Sequence, residues 1–312
     1  MTGWNAEYTL SDYADDENDG KHYSQLFDLD SLVNNFIFCE YAMNWDSMKN
    51  SFHLYKDLNT LAQIGPQWDF DWAWGNRNMF GIDTYITDQW HSTCLDFTRE
   101  QYYQSVQWNT QLIRDPYFLV RAFEKYKLIR PTIIENMISE GGTIDTYTQY
   151  LQASADANDT KWSGTYMEYG GEPFNKAVDS MKTFLTKRVD WLDKQFKDLP
   201  AFIASLGVYK PSPLLSVTDI TTQEDGSCTI TADVADNRIA AVVFQINGIT
   251  QLECRVQNQK ASVTVPHTAL TDGSCLNVVE IKGKGPDGKY LYDTAASKPF
   301  VYNLVVSNYK TW

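Results

Sequence analysis

Asp46, Asn50, Asp69 and Asp71 are the side chains of this sequence whose types and spacing could do chemistry. Asp69 and Asp71 lie in the run Gly65-Pro66-Gln67-Trp68-Asp69-Phe70-Asp71-Trp72-Ala73-Trp74-Gly75-Asn76, where two carboxylates alternate with bulky aromatics. Alternation at period two predicts an extended segment, with both acids on one face and Trp68, Phe70 and Trp72 buried on the other. Two like charges beside a buried wall call for a counter-charge, and a divalent cation is the usual one. Asp46 and Asn50 share an earlier loop. One Asp, a nearby Asn and a later Asp form the set that phosphoryl transfer uses. The first accepts the proton of a substrate hydroxyl, and the other two hold Mg²⁺ against nucleotide phosphates. Mg²⁺ is a hard cation, so carboxylate and amide oxygens suit it. Many acidic loops satisfy the same spacing, and the plain alternative is a pair of acids that cap turns in solvent.

The elements that must position these groups can be read on either side of them. Leu29, Leu32, Val33, Phe36, Ile37, Glu40 and Tyr41 fall at helical spacing, and Asp30 or Ser31 can cap the start. That helix ends at Asn44-Trp45-Asp46. Residues 51–56 alternate like a strand and turn at residues 57–59 into the acidic run. His53 alternates into that strand near Asp46; a packed or surface role is the simpler reading for each of the four histidines, which share no metal-ligand spacing.

Beyond residue 76 the chain reads as helical to about residue 207. Asp115-Pro116 opens one helix through Leu128, because proline is welcome in a first helical turn. Thr132 to Ile138 continues it, Glu140-Gly141-Gly142 breaks it, and residues 145–157 and 176–196 form two more amphipathic helices. Trp162, Tyr166, Tyr169 and Phe174 flank a glycine-rich loop; they either stack on a sugar or peptide or, as is usual for aromatics, close the core. After the stiff linker Tyr209-Lys210-Pro211-Ser212-Pro213 the texture changes to short β-rich runs. These cover 215–220, 228–234, 240–246, 252–256, 261–265, 276–282 and 300–306, separated by turns such as Asp225-Gly226 and Asp287-Gly288, and predict an immunoglobulin-like sandwich.

Composition narrows the function classes. The chain has 312 residues with 43% hydrophobic and 21% charged residues, a globular composition. Its formal net charge of −14 excludes the basic surface that nucleic acid or an anionic membrane would need. No apolar run reaches the ~18 residues that span a bilayer. The five cysteines include no C-x-x-C pair, so neither a zinc nor a redox motif is indicated. Asp15, Glu17, Asp19 and Gly20 resemble the start of a calcium loop, but Leu26 stands where the bidentate acid belongs, and a solvated loop is the reading that remains.

The run from Asn44-Trp45-Asp46 through Leu54-Tyr55-Lys56-Asp57, followed by Gly65-Pro66-Gln67-Trp68-Asp69-Phe70-Asp71, resembles the signature of the CotH family of spore-coat-type atypical protein kinases. The preceding Asp28–Ser31 stretch, Leu112 to Phe118 and Phe184 to Leu192 fit it too, so that the resemblance covers about residues 1–200. It implies Asp46 as the catalytic aspartate, Asp69 as the metal ligand, and Asn50 and Asp71 as further metal ligands. The implied cofactors are Mg²⁺ (or Mn²⁺) and ATP, and the implied partners are proteins that present Ser or Thr hydroxyls outside the cell, at its surface or in a spore coat. The implied fold is α+β. Residues 1–208 are expected to form a mainly helical kinase C-lobe with a small β-hairpin, apparently truncated at its N-terminus, and residues 213–312 the sandwich. Such kinases carry a glycine-rich loop and a phosphate-binding lysine ahead of the catalytic helix, and neither stands before Asp46. The expectation is therefore a fragment that transfers little phosphate alone, from a longer parent that phosphorylates proteins. The other expectation is a non-catalytic surface or carbohydrate-associated module whose acids bind a structural cation.

Overall fold

Apolar residues at helical spacing fold Leu29–Ala42 into α1, the helix that everything at the acidic run leans on. Leu32, Val33, Phe36 and Ile37 are buried on it, and so is Glu40. The computed structural model describes residues 22–44, 46, 51–76, 85–94, 108–162, 172–273 and 275–304. The β-hairpin that follows α1 is minimal: β1 (Leu54–Tyr55) pairs antiparallel with β2 (Gln63–Ile64), Leu54 opposite Ile64. The longer strand expected over residues 51–56 is thus confined to a single two-residue ladder.

Helices then follow in order: α2 (Trp108–Leu112), α3 (Pro116–Ile129), α4 (Glu135–Ile138), α5 (Thr143–Trp162), α6 (Phe174–Gln195) and α7 (Leu199–Leu206). Asp115 stands just before α3 and accepts the Tyr117 N–H at 2.9 Å, which satisfies an orphan donor of the first turn beside Pro116. Between α3 and α4, Arg130–Ile134 form one wide π turn around Pro131, whose missing N–H cannot continue the α ladder.

Contacts divide the chain into two units. The helical unit holds residues 30–110 and 122–206. Its core stacks Tyr126 on Phe196 at 4.0 Å and Phe196 on Phe202 at 4.3 Å, with Trp90 edge-on to Trp191, Phe196 and Phe202. Offset and edge-on rings of this kind add to their burial. Trp162 does not join that core: it is 47% exposed, with the Lys161 ammonium over its ring. Tyr166 and Tyr169 lie outside the described residues.

The second unit is built on two antiparallel sheets. β3 (Leu215–Thr222), β4 (Cys228–Val234) and β7 (Lys260–Val265) run in the order β3-β4-β7. β5 (Ala241–Ile246), β6 (Thr250–Arg255), β8 (Asn277–Lys284) and β9 (Tyr290–Phe300) run in the order β6-β5-β8-β9. Ile230, Phe244, Ile246, Val265 and Ile281 from both sheets share one core cluster. Strands were expected at six of these positions within a few residues. The last differs: it spans Tyr290–Phe300 rather than residues 300–306, and 301–304 are not strand. A strand through Pro299 is possible because β9 is an edge, where a missing N–H costs nothing.

Contacts also assign to this unit the described residues up to Leu29 and Gln111–Arg121. The His22 ring packs so closely on Gly248 that a Cβ there would lie 2.4 Å from it. The Tyr23 hydroxyl donates to Asp115 at 2.5 Å, and Arg121 donates to the Leu276 carbonyl.

Candidate active site

The acidic run is not extended. Asp69 has φ 61°, Trp74 has φ 61° and Gly75 has φ 71°, so the chain turns twice where an even zigzag was expected. The expected burial pattern fails with it. Trp68 is 60% exposed, edge-on to the His53 ring at 6.1 Å. Phe70 and Trp74, both half-buried, are the aromatics that anchor the run: Phe38 of α1 meets them at 4.9 and 5.6 Å, and Tyr41 of α1 meets Trp74 at 5.3 Å. The Trp74 N–H closes the loop onto α1 by donating to the Ala42 carbonyl at 2.8 Å. A left-handed Asp69 just before these anchors, and Asp71 between them, are both exposed.

Those two carboxylates do meet. The Asp71 carboxyl is raised from its ordinary value, by partial desolvation first and then by the charge of Asp69 and a hydrogen bond with it. Asp69 also accepts from the Ser51 hydroxyl at 3.1 Å, and the Asp71 carbonyl accepts from the Asn76 amide at 2.7 Å. Mutual repulsion between neighbouring acids is relieved by a cation, so the donor set fits a hard divalent metal. Among the described residues no three His, Cys, Asp or Glu side chains converge on one metal position. Two protein carboxylates are nevertheless the usual protein share of a Mg²⁺ site whose other ligands are waters and substrate phosphates.

Asn44 joins this pair to Asp46. α1 ends at Ala42, Met43 takes φ 50° fully buried, and the turn delivers Asn44. The Asn44 carboxamide accepts the Asp46 N–H at 3.1 Å and donates to the Asp69 carbonyl at 3.5 Å. One buried amide therefore sets the spacing of two of the residues that the sequence singled out. Asp46 is half-buried. Asn50 lies outside the described residues.

Behind Asn44 stands a buried polar network. The His91 ring Nε2 is 2.7 Å from the Asn44 carbonyl. The His91 and Ser92 N–H groups donate to Glu40 at 2.6 and 2.9 Å. Arg188, 0% exposed, donates to the carbonyls of Glu40, Thr87 and Gln89 at 2.7, 3.1 and 2.6 Å and reaches the Glu40 carboxylate at 3.4 Å. Burial raises the Glu40 carboxyl and lowers Arg188 to about 10, and in each case the partner's charge works against the shift. Glu40 and His91 lie outside the runs that carry the resemblance, and Asn44, Ser51 and Arg188 lie within them without their roles having been read from the sequence. A signal existed for the ion pair, because Glu40 and Arg188 both sit on the apolar stripes of their helices.

The site thus combines a half-buried aspartate with a carboxylate pair, fixed on loops beyond one helix and tied together by one amide. The sequence profile of the family described as CotH kinase protein matches residues 5–192, and the chain belongs to that family. No curated protein and no solved structure matches it.

Proposed function

We propose that this chain carries the catalytic aspartate and the metal ligands of an atypical protein kinase that moves the γ-phosphoryl group of Mg²⁺-bound ATP to Ser or Thr hydroxyls. The single observation that carries the reading is the Asn44 clamp, which holds Asp46 and Asp69 at a fixed spacing beside the Asp69–Asp71 carboxyl pair. In this reading Asp46 accepts the hydroxyl proton as the substrate oxygen bonds to phosphorus and the bond to the leaving ADP oxygen breaks. Asp69 holds the cation, with Asp71 and Asn50 as further ligands. A divalent cation in that position neutralises the phosphate charge that builds in the transition state. Asn44, Glu40 and Arg188 act earlier, by fixing the loops so that positioning does not have to be purchased at each turnover. The substrates are proteins outside the cell, at its surface or in a spore coat. The seven-stranded unit is an immunoglobulin-like spacer or adhesion module. Its first, second and fifth strands form one sheet, and its fourth, third, sixth and seventh form the other.

The test is labelled-phosphate transfer from ATP to casein by the natural full-length protein. Asp46→Ala and Asp69→Ala should each lower the rate by several orders of magnitude, and a fully active Asp46→Ala protein contradicts the assignment. The absence of a third acidic ligand among the described residues favours one other reading, a non-catalytic surface or carbohydrate-associated module with a weak cation site. That reading predicts cation binding without any phosphate transfer.

A further inference from the structure

α1 ends where the acidic site begins, and the backbone there is strained. Met43 takes φ 50° while fully buried, a left-handed conformation that residues other than glycine seldom adopt. Such a residue persists only where its surroundings over-determine it, and such residues cluster at functional sites. Three donors from distant segments supply that constraint. Arg188 gives its Nε–H to the Glu40 carbonyl at 2.7 Å, Trp74 gives its N–H to the Ala42 carbonyl at 2.8 Å, and the His91 ring meets the Asn44 carbonyl at 2.7 Å. A carbonyl oxygen only accepts, so Nε2 of His91 carries the proton in this bond. His91 also donates its backbone N–H to the Glu40 carboxylate at 2.6 Å. Glu40 and Asn44 flank Met43, so one buried residue pins both sides of the left-handed turn.

We propose that His91 is a positioning residue for the acidic site, acting through Asn44. The Asn44 carboxamide ties Asp46 to Asp69, at 3.1 Å from the Asp46 N–H and 3.5 Å from the Asp69 carbonyl. That side chain is aimed only as well as its own main chain is fixed. The ring bond fixes the peptide plane that follows Asn44. Without it Met43 is free to relax out of its left-handed conformation, and the carboxamide loses its direction. The role is positioning rather than catalysis, because His91 is 0% exposed and Asn44 stands between it and both acids. The bond to Glu40 uses the His91 main chain, so replacing the ring alone leaves it in place. Substitutions at this position therefore report on the Asn44 bond. Glutamine puts an N–H near the place of Nε2, whereas phenylalanine keeps a flat ring and has no donor.

The experiment has two readouts. The first is amide hydrogen exchange of the whole 312-residue chain, followed by NMR. His91→Phe should speed exchange of the Asp46 N–H about tenfold or more, because the acceptor on Asn44 is no longer held in place. The amides of Phe36 and Ile37, in the middle of α1, should stay at their wild-type rates. A merely structural ring would instead loosen all three together. His91→Gln should restore wild-type protection at Asp46. If His91→Phe does not fold, the ¹⁵N shifts of the wild-type ring and the His91→Gln exchange rates decide, with a protonated Nε2 expected. The second readout is phosphate transfer from ATP to casein by the natural full-length protein, and it alone rests on the phosphoryl-transfer reading of the site. There His91→Phe should lower kcat about tenfold with KM for ATP within about twofold, and His91→Gln should stay within about threefold of wild type. A wild-type protein that transfers no phosphate would sink that reading, and the exchange rates would then decide the role of His91 by themselves. The proposal is overturned by a ring without a proton on Nε2, by wild-type exchange at Asp46 in His91→Phe, or by equal acceleration in the middle of α1. A His91→Gln protein as impaired as His91→Phe, or an active enzyme whose kcat ignores His91→Phe, overturns it as well.

Discussion

Replacing Arg188 by Met should destabilise the helical unit more than any other single substitution near the site. The change removes a buried guanidinium that donates to three backbone carbonyls and faces the Glu40 carboxylate. Met restores most of the volume and none of the donors. Removing one partner of a buried pair costs about 3–5 kcal/mol, because the other charge is left buried and unpaired. For a unit of this size each kcal/mol lowers the melting temperature by ~2–4 °C, so a fall of about 10 °C is expected. The assay is thermal unfolding followed by far-ultraviolet circular dichroism, which reports the helices. The sign of the pH dependence follows from Glu40. Its folded-state carboxyl is raised above the unfolded value, so its contribution is present below the unfolded value and lost as pH rises through the folded one. Without Arg188 that rise is larger, and the deficit should be greater at about pH 8 than at about pH 5. Adding Glu40→Gln neutralises the stranded charge, keeps an acceptor for one of the His91 and Ser92 N–H groups, and should recover at least about 1 kcal/mol. A loss below about 1 kcal/mol for Arg188→Met, or a double variant less stable than the single, would refute the reasoning.

Gly75→Ala should cost more than about 1 kcal/mol, since φ is 71° and the new Cβ would lie 2.6 Å from the Phe184 ring; chemical denaturation with unchanged midpoint would contradict this. Asn44→Ala should lower the phosphate-transfer rate about tenfold or more with a smaller change in KM for ATP, because it frees Asp46 and Asp69 from one spacing without removing either acid. A fragment beginning at Gly207 should melt below the β unit of the whole chain, because it lacks His22, Tyr23, Asp115 and Arg121; equal midpoints in the two calorimetric traces would show that those contacts contribute nothing.

Much of the fold is legible because single elements decide it. α1 announces itself by seven residues at helical spacing, and the β unit by short runs between Asp-Gly turns. The candidate site was only half legible. The types Asp46, Asp69 and Asp71 and their closeness were readable, whereas the geometry was not. Period-two alternation predicts a flat acidic face, but anchoring Phe70 and Trp74 on Phe38 and Tyr41 forces Asp69 into the left-handed region and pushes Trp68 into solvent. Tertiary packing overrode the local pattern there. The linker 209–213 was equally clear as a break in composition, yet nothing in residues 111–121 signals that they belong with the β unit. Arg121 and Asp115 are ordinary surface types until their partners are known. Glu40 and Arg188 show the converse, because a charge on an apolar stripe is a sequence signal for a buried pair.

The most direct test of the central claim, that Asp69 holds a divalent cation beside the catalytic Asp46, is calorimetric titration of the chain with Mn²⁺ in the presence of ATP. The account predicts saturable binding by the wild-type protein, stronger with ATP than without because the nucleotide phosphates complete the coordination, and loss of that binding in Asp69→Ala. Equal binding by wild type and Asp69→Ala would contradict it.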